Sequence, residues 1–272
     1  MKEHVEKDRL DNLLLALGEF DSREKAKAAI MAGIVFVNGN REDKAGSKFP
    51  VNADIVIKGK KNPYVSRGGY KLEKAIKEFE LELKDVVAMD VGASTGGFTD
   101  CMLQNGAVKV FAVDVGTNQL AYKLRVDERV VCLEQTNAKN LDETIITQPV
   151  SFVSIDVAFI SLTKILTAVR GVMEKDGQIV ALIKPQFEAG KEQVGKKGIV
   201  RDPKVHIEVI EKILLYSQSI GLEIMGLTFS PIKGPAGNIE YLALMKKNDQ
   251  QFADFDLNEV LAVVDSAHNL LD

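Results

Sequence analysis

Residues 86–100 read VVAMDVGASTGGFTD, and the fold turns on how this stretch divides. The apolar run before Gly92 is short and valine-rich, which predicts a buried strand. Gly92, Gly96 and Gly97 then let the backbone turn sharply, and GGFTDCMLQNG at 96–106 predicts a helix opening at that turn. A strand that passes through glycines into a helix brings a ligand close to backbone and to unpaired N–H groups at the helix start. One strand later, VKVFAVDVG at 108–116 puts Asp114 at a strand end, where a carboxylate accepts hydrogen bonds from ribose hydroxyls. Together these features predict a nucleoside pocket. The competing reading is tight helix-to-strand packing with Asp114 as a strand cap.

Working outward, YKLEKAIKEFEL at 70–81 predicts a helix, and SFVSI at 151–155 and QIVALI at 178–183 predict further strands. Helices are expected near 161–174 and 203–220. Strands at 222–229 and 239–246 follow one another with only a loop between them, so that pair is expected to be antiparallel. Alternating helices and apolar strands give an α/β fold class, a Rossmann-like doubly wound sheet with ligands outside the carboxyl ends of its strands. Upstream, 8–33 reads as two helices with Asp21 and Ser22 as N-cap candidates and Gly33 as the stop. IVFVNGN then alternates into a strand and an Asn38-Gly39 turn, and a second short strand falls in 51–59. The N-terminal part is therefore a small α+β domain over 1–59. The segment 60–65 reads as a linker, 66–247 as the larger α/β domain and 248–272 as an amphipathic helical tail.

Composition excludes several classes. With 272 residues, 46% hydrophobic and 27% charged, the chain is ordinary globular material with room for one large and one small domain. No apolar run approaches the roughly 18–20 residues of a membrane span, and MKEHVEKDRL is charged where a signal peptide needs an apolar core, so a cytoplasmic protein is expected. Cys101 and Cys132 are too few for a disulfide framework or a Cys-rich zinc site, and no metal is expected. The net charge of −4 disfavours nucleic acid until its distribution is considered. Residues 58–77 hold Lys58, Lys60, Lys61, Arg67, Lys71, Lys74 and Lys77 against Glu73 alone, a local balance of +6, while 78–272 carry −9. Positive charge gathered at the junction of two domains suits a polyanion track.

The glycine loop admits other chemistries. A dinucleotide fold wants G-x-G-x-x-G, but Ser94 stands at the second glycine's place. A P-loop is excluded because no Gly-Lys-Ser/Thr follows. The letters do satisfy G-x-S-x-G, and Ser94, Asp156 and His206 fall in α/β-hydrolase order, although only one strand of the domain precedes Ser94.

Longer strings resemble a known family. RLDNLL, DSREKA and AGIVFVNG at 9–39 resemble the RNA-binding domain of small-subunit ribosomal protein S-four, and the remainder resembles FtsJ-type methyltransferases. With VSRGGYKL (65–72), SIDVAFISL (154–162), LIKPQFEAG (182–190), GIVRDP (198–203) and GPAGNIEYL (234–242), the whole is similar to the TlyA or hemolysin A family. The resemblance implies S-adenosylmethionine as cofactor and 2′-O-methylation of cytidine in ribosomal RNA, with ribosomal RNA or subunits as partners. It also carries a hemolysin name, at odds with the lack of a membrane-spanning segment.

By the same resemblance Lys71, Asp156, Lys184 and Glu240 match the FtsJ-type Lys-Asp-Lys-Glu set. The expected cofactor residues are Asp90, Gly92, Ala93, Ser94, Thr95, Gly96, Gly97, Asp114 and Asn137. Those expected to bind RNA are Arg9, Arg23, Lys27, Lys58, Lys60, Lys61 and Arg67. A ribose 2′-hydroxyl is a poor nucleophile until its proton is removed, and a lysine near its free pKa of ~10.4 cannot accept it at neutral pH. Desolvation by RNA and repulsion from the second lysine favour a neutral Lys184 as base, with Asp156 orienting it and Lys71 and Glu240 positioning the ribose. The glycine- and lysine-rich segment 187–198 before Asp202-Pro203 reads as a mobile substrate lid or, equally, as a plain flexible loop.

Overall fold

The computed structural model describes residues 7–17, 20, 22–51, 53–58, 62–250 and 252–271. The chain divides into two compact units, 1–63 and 64–272.

In the first unit, β1 (Lys7–Arg9) leads into α1 (Leu10–Ala16) and α2 (Arg23–Met31), followed by β2 (Val35–Val37), β3 (Asn40–Arg41), β4 (Lys48–Pro50) and β5 (Ile55–Ile57). Ser22 caps α2, its Oγ accepting from Lys25 N–H at 3.3 Å; Asp21, the other cap candidate, lies outside the described residues. Asn38 and Gly39 both take positive φ, 50° and 81°, as a two-residue hairpin turn requires, and join β2 to β3. Leu10, Leu14, Ala26, Ile30 and Val35 seal the core between helices and sheet. The antiparallel pair β1–β4 is three residues long, too short to register as periodicity in the sequence.

The second unit runs α3 (Gly69–Glu78), β6 (Val87–Val91), α4 (Gly97–Gln104), β7 (Lys109–Val113), α5 (Tyr122–Arg125), β8 (Val130–Leu133), β9 (Val150–Ile155), α6 (Leu166–Gly171), β10 (Met173–Ile183), α7 (Pro185–Glu188), α8 (Pro203–Ser219), β11 (Leu222–Phe229), β12 (Tyr241–Lys247) and α9 (Leu257–Leu271). Its sheet has the order β8-β7-β6-β9-β10-β12-β11. β6 to β10 pair in parallel, and β12 runs antiparallel to both β10 and β11. Alternate residues of the central strands enter different cores. Met89, Phe111 and Val153 pack with α8 and α9, while Ala88, Val110 and Phe152 pack with α3 and α4. Val260, Val264 and Ala267 of α9 lie in the first of these cores, so the last helix is structural.

The helix expected over 161–174 is shorter than its pattern. A single 3-10 turn, Leu162–Lys164, precedes α6, and Met173 already pairs with Val150 of β9. The register shift between Met173 and Gln178 carries the strand through the exposed Lys175–Asp176 stretch, which broke the apolar run in the sequence.

Candidate active site

The chain order reverses across β6 and β9, and the crevice at their carboxyl ends collects the polar residues. Gly92 leaves β6 with φ 83°, and a Cβ there would lie 2.6 Å from the Asp156 carbonyl oxygen at the end of β9. Only glycine lets the loop cross so near the neighbouring strand. Gly92 and Ala93 donate their N–H groups to Val113 O at 2.8 and 3.0 Å, and Ser94, at φ 48°, donates to Asp114 Oδ2 at 2.7 Å. Gly96 has φ 95°, and a Cβ on Gly97 would fall 2.2 Å from Ser66 Oγ. β7 thus braces the loop from one side and the segment before α3 presses on it from the other.

Asp90 sits beneath this loop, 1% exposed, its Oδ2 accepting from both Thr99 N–H (2.9 Å) and Thr99 Oγ1 (2.7 Å) and its Oδ1 from Ser154 Oγ (3.2 Å). Burial pushes its carboxyl up to about 7 against the Thr99 bonds, and the Asp156 charge adds to the rise. With Gly92, Ser94 and Thr95 it lines the cleft at the strand ends.

Four charged side chains meet above the strand edge. Asp156 follows β9, Lys184 follows β10, Glu240 precedes β12, and Lys71 lies in the first turn of α3. Lys71 Nζ is 2.6 Å from Glu240 Oε2 and 3.6 Å from Asp156 Oδ2, and Lys184 Nζ pairs with the other Asp156 oxygen. The charges alternate as Glu240, Lys71, Asp156, Lys184. Side-chain exposure falls from 20% at Asp156 and 11% at Lys184 to 9% at Lys71 and 1% at Glu240, so the chain opens to solvent at its Asp156–Lys184 end.

Two adjoining clefts share Gly92, Ser94, Asp156 and Ala158. One, of about 430 Å³, holds the four charged residues with Thr95, Gly97, Lys233 and Gly234, and has the exposed Arg67 on its lining. The other, of about 490 Å³, is lined by Asp114 and Asn137 together with Val157, Ile160 and Ile165. A lining that combines apolar side chains with a carboxylate is of the kind that suits a nucleoside. The set therefore fits a nucleoside-bearing group lying next to the charged chain.

Sequence reasoning missed two contributors. Glu134, just past β8, accepts from the N–H groups of Asn118, Gln119 and Leu120 and from Arg125 Nη2 at 2.6 Å. The Arg125 bond holds its carboxyl down at about 2. It fixes the turn carrying Gln119, which lines the second cleft. Phe159 is 91% exposed with φ 63°, an unusual conformation for a bulky residue, and its ring stands 5.0 Å from that of Phe187 beside Lys184.

The residues of the hydrolase alternative are not assembled. His206 is buried in α8, with Nδ1 2.7 Å from Tyr241 Oη and Nε2 3.0 Å from Val200 O, while Ser94 and Asp156 line the clefts. Cys101 is a core residue whose thiol burial pushes up to about 12.

In the first unit, Arg9 Nε and Arg23 Nε converge on the buried Asp11 carboxylate at 2.9 and 2.8 Å, each arginine side chain remaining about two-fifths exposed. The Arg9 bond, with Arg23 adding, holds Asp11 well below the usual carboxylate range. Lys27 is half-buried, and Lys58 Nζ lies 4.0 Å from the centroid of the Phe36 ring. Lys60 and Lys61 lie outside the described residues. Among the described residues no group of His, Cys, Asp and Glu has metal-ligand geometry, and no helix is long and apolar enough to cross a membrane.

Comparison with known proteins agrees with this architecture. The FtsJ-like methyltransferase family matches residues 64–247, and the S4 domain matches residues 8–55. The YqxC protein of Bacillus subtilis is 51% identical over 97% of this chain and 95% of its own length. The 16S/23S rRNA (cytidine-2'-O)-methyltransferase TlyA of Mycobacterium tuberculosis is 40% identical over 88% of this chain and 89% of its own. A solved structure from Streptococcus thermophilus that bears a hemolysin name superposes with a TM-score of 0.77 at 48% identity, covering 97% of each chain. The chain belongs to the FtsJ-like methyltransferase family and, within it, to the group that includes TlyA and hemolysin A.

Proposed function

We propose that this protein is an S-adenosylmethionine-dependent ribosomal RNA methyltransferase acting on the 2′-hydroxyl of cytidine in the cytoplasm. The observation that carries the reading is the alternating chain Glu240, Lys71, Asp156, Lys184, opening beside a nucleoside cleft. S-adenosylmethionine supplies, when bound, an electrophilic methyl group on a positive sulfur. Asp114 and Asn137 would hold its adenosine end, and the Gly92–Gly97 loop would lie against it. Lys184, at the exposed end of the chain, accepts the 2′-hydroxyl proton on Nζ, and Asp156 fixes its direction. Lys71, held between Glu240 and Asp156, would position the ribose so that its 2′-oxygen faces the methyl donor. The exposed Phe159 ring offers a face on which a base can stack. Arg9, Arg23, Lys27 and Lys58 of the first unit, with Lys60, Lys61 and Arg67, supply the phosphate contacts, and no metal takes part in this scheme.

The relatives named for cytidine-2'-O-methylation of rRNA support the choice of substrate. Purified protein incubated with radiolabelled S-adenosylmethionine and separate ribosomal subunits should place label on cytidine ribose, mapped as resistance to alkaline cleavage at the modified nucleotide. Label on a base, or none on either subunit, overturns the reading.

A further inference from the structure

The lysine-rich segment after α7 is fastened to the active site at its base. Asn238, 2% exposed, accepts from Val200 N–H through Oδ1 at 3.0 Å and donates from Nδ2 to Gly198 O at 2.9 Å. Val200 O lies 3.0 Å from His206 Nε2, and the other ring nitrogen of His206 lies 2.7 Å from Tyr241 Oη. Asn238 and Tyr241 stand on either side of Ile239 and Glu240. The segment is thereby tied on both flanks of the carboxylate that pairs with Lys71. Glu240 is itself tightly seated, since a Cβ on Gly234 would fall 2.6 Å from its Oε1, and Gly234 N–H donates to Asn238 O at 2.9 Å.

Beyond this anchor the segment is exposed and basic. Lys191, Lys196, Lys197, Arg201 and Lys204 are all exposed, against Glu192 and Asp202. The Asp202 carboxylate caps α8 by accepting from Lys204 N–H at 2.9 Å. The local balance is +3 in a region, 78–272, that carries −9. Five cations on one anchored arm are suited to a polyanion, and Lys233 and Gly234, from the strip that holds Asn238, also line the catalytic cleft.

We propose that residues 191–204 form a phosphate-binding arm for RNA on the catalytic unit, and that Asn238 is the positioning residue that locks this arm to the Glu240 strip. The proposal rests on the RNA methyltransferase reading and differs from a free lid: the arm acts from a fixed place. Its test is direct binding of deproteinised ribosomal RNA without methyl donor, by filter retention over a range of salt. The exposed pair Lys196→Glu/Lys197→Glu should weaken RNA affinity roughly tenfold or more and reduce the salt slope by about 1–2, with donor affinity unchanged. Asn238→Ala should speed tryptic cleavage after Lys196 and Lys197 roughly tenfold and weaken RNA binding. Adding Asn238→Ala to the charge-reversed arm should then cost little more affinity. Unchanged RNA affinity in the charge-reversed arm, or strictly additive losses with Asn238→Ala, overturns the proposal. Normal RNA binding by wild type without methyl transfer would instead overturn the enzymatic reading and leave the arm standing.

Discussion

Lys71 and Glu240, 169 residues apart in the chain, form an ion pair closed from solvent, with Nζ 2.6 Å from Oε2. A buried pair costs much of its attraction in lost hydration, but removing one partner strands the other charge. Glu240→Ala should therefore destabilise the protein by about 3 kcal/mol, near the lower end of such changes because Asp156 remains 3.6 Å from Lys71. Replacing both residues, Lys71→Met with Glu240→Leu, should be less destabilising than Glu240→Ala alone. Denaturant unfolding of the three proteins checks this; a double variant weaker than the single one contradicts it.

A side chain at Gly92 meets both an unfavourable φ of 83° and the Asp156 carbonyl. Gly92→Val should displace the strand end that carries Asp156 and weaken S-adenosylmethionine binding roughly tenfold or more. Ser94 contributes its backbone N–H to Asp114, so Ser94→Ala should keep activity within about an order of magnitude. Calorimetric donor affinities and methylation rates separate the two; equal affinity in wild type and Gly92→Val contradicts the assignment.

Stability should carry a pH signature from Asp90. Its carboxyl, raised from 3.8 to about 7 by burial, keeps a proton in the folded protein that the unfolded chain releases near pH 4. The stabilisation from neutral Asp90 is complete below about pH 4 and is lost as pH rises to about 7, a span worth on the order of 4 kcal/mol. Asp90→Asn stays neutral while its amide oxygen can still accept from Thr99. The variant should therefore gain stability relative to wild type between pH 4 and 7 and hold that gain above. A constant difference across this range, measured by urea unfolding, contradicts the account.

The parts of this site that were legible in the sequence are those that strand ends dictate. Asp156 and Lys184 each directly follow an apolar run, and the sheet brings such positions to one edge whatever the intervening chain does. Glu240 reaches the same edge because β12 runs antiparallel to β10, with Tyr241 opposite Ile183. Lys71 is different: it sits on a helix, and its seat between Glu240 and Asp156 depends on how α3 packs, which spacing does not encode. The same holds for His206, whose place in the chain mimicked a hydrolase while its helix turned it toward Tyr241. Asn238 and Glu134 escaped notice because each acts on backbone groups far away in sequence, a role that leaves no periodicity. The 187–198 segment reads as mobile from its glycines and lysines, while Asn238 Nδ2 holds its last residue through the Gly198 carbonyl.

The central claim, that Lys184 takes the proton of a ribose hydroxyl at this site, is tested most directly by single-turnover methyl transfer to saturating ribosomal RNA. Wild type should be compared with Lys184→Ala and Lys184→Arg, each with its donor affinity measured. Loss of a positioned base costs ~100- to 10,000-fold, and arginine keeps the charge without accepting a proton at workable pH. Both variants should fall by that amount with donor binding nearly intact; robust turnover by Lys184→Ala, or substantial activity in Lys184→Arg, would contradict the assignment.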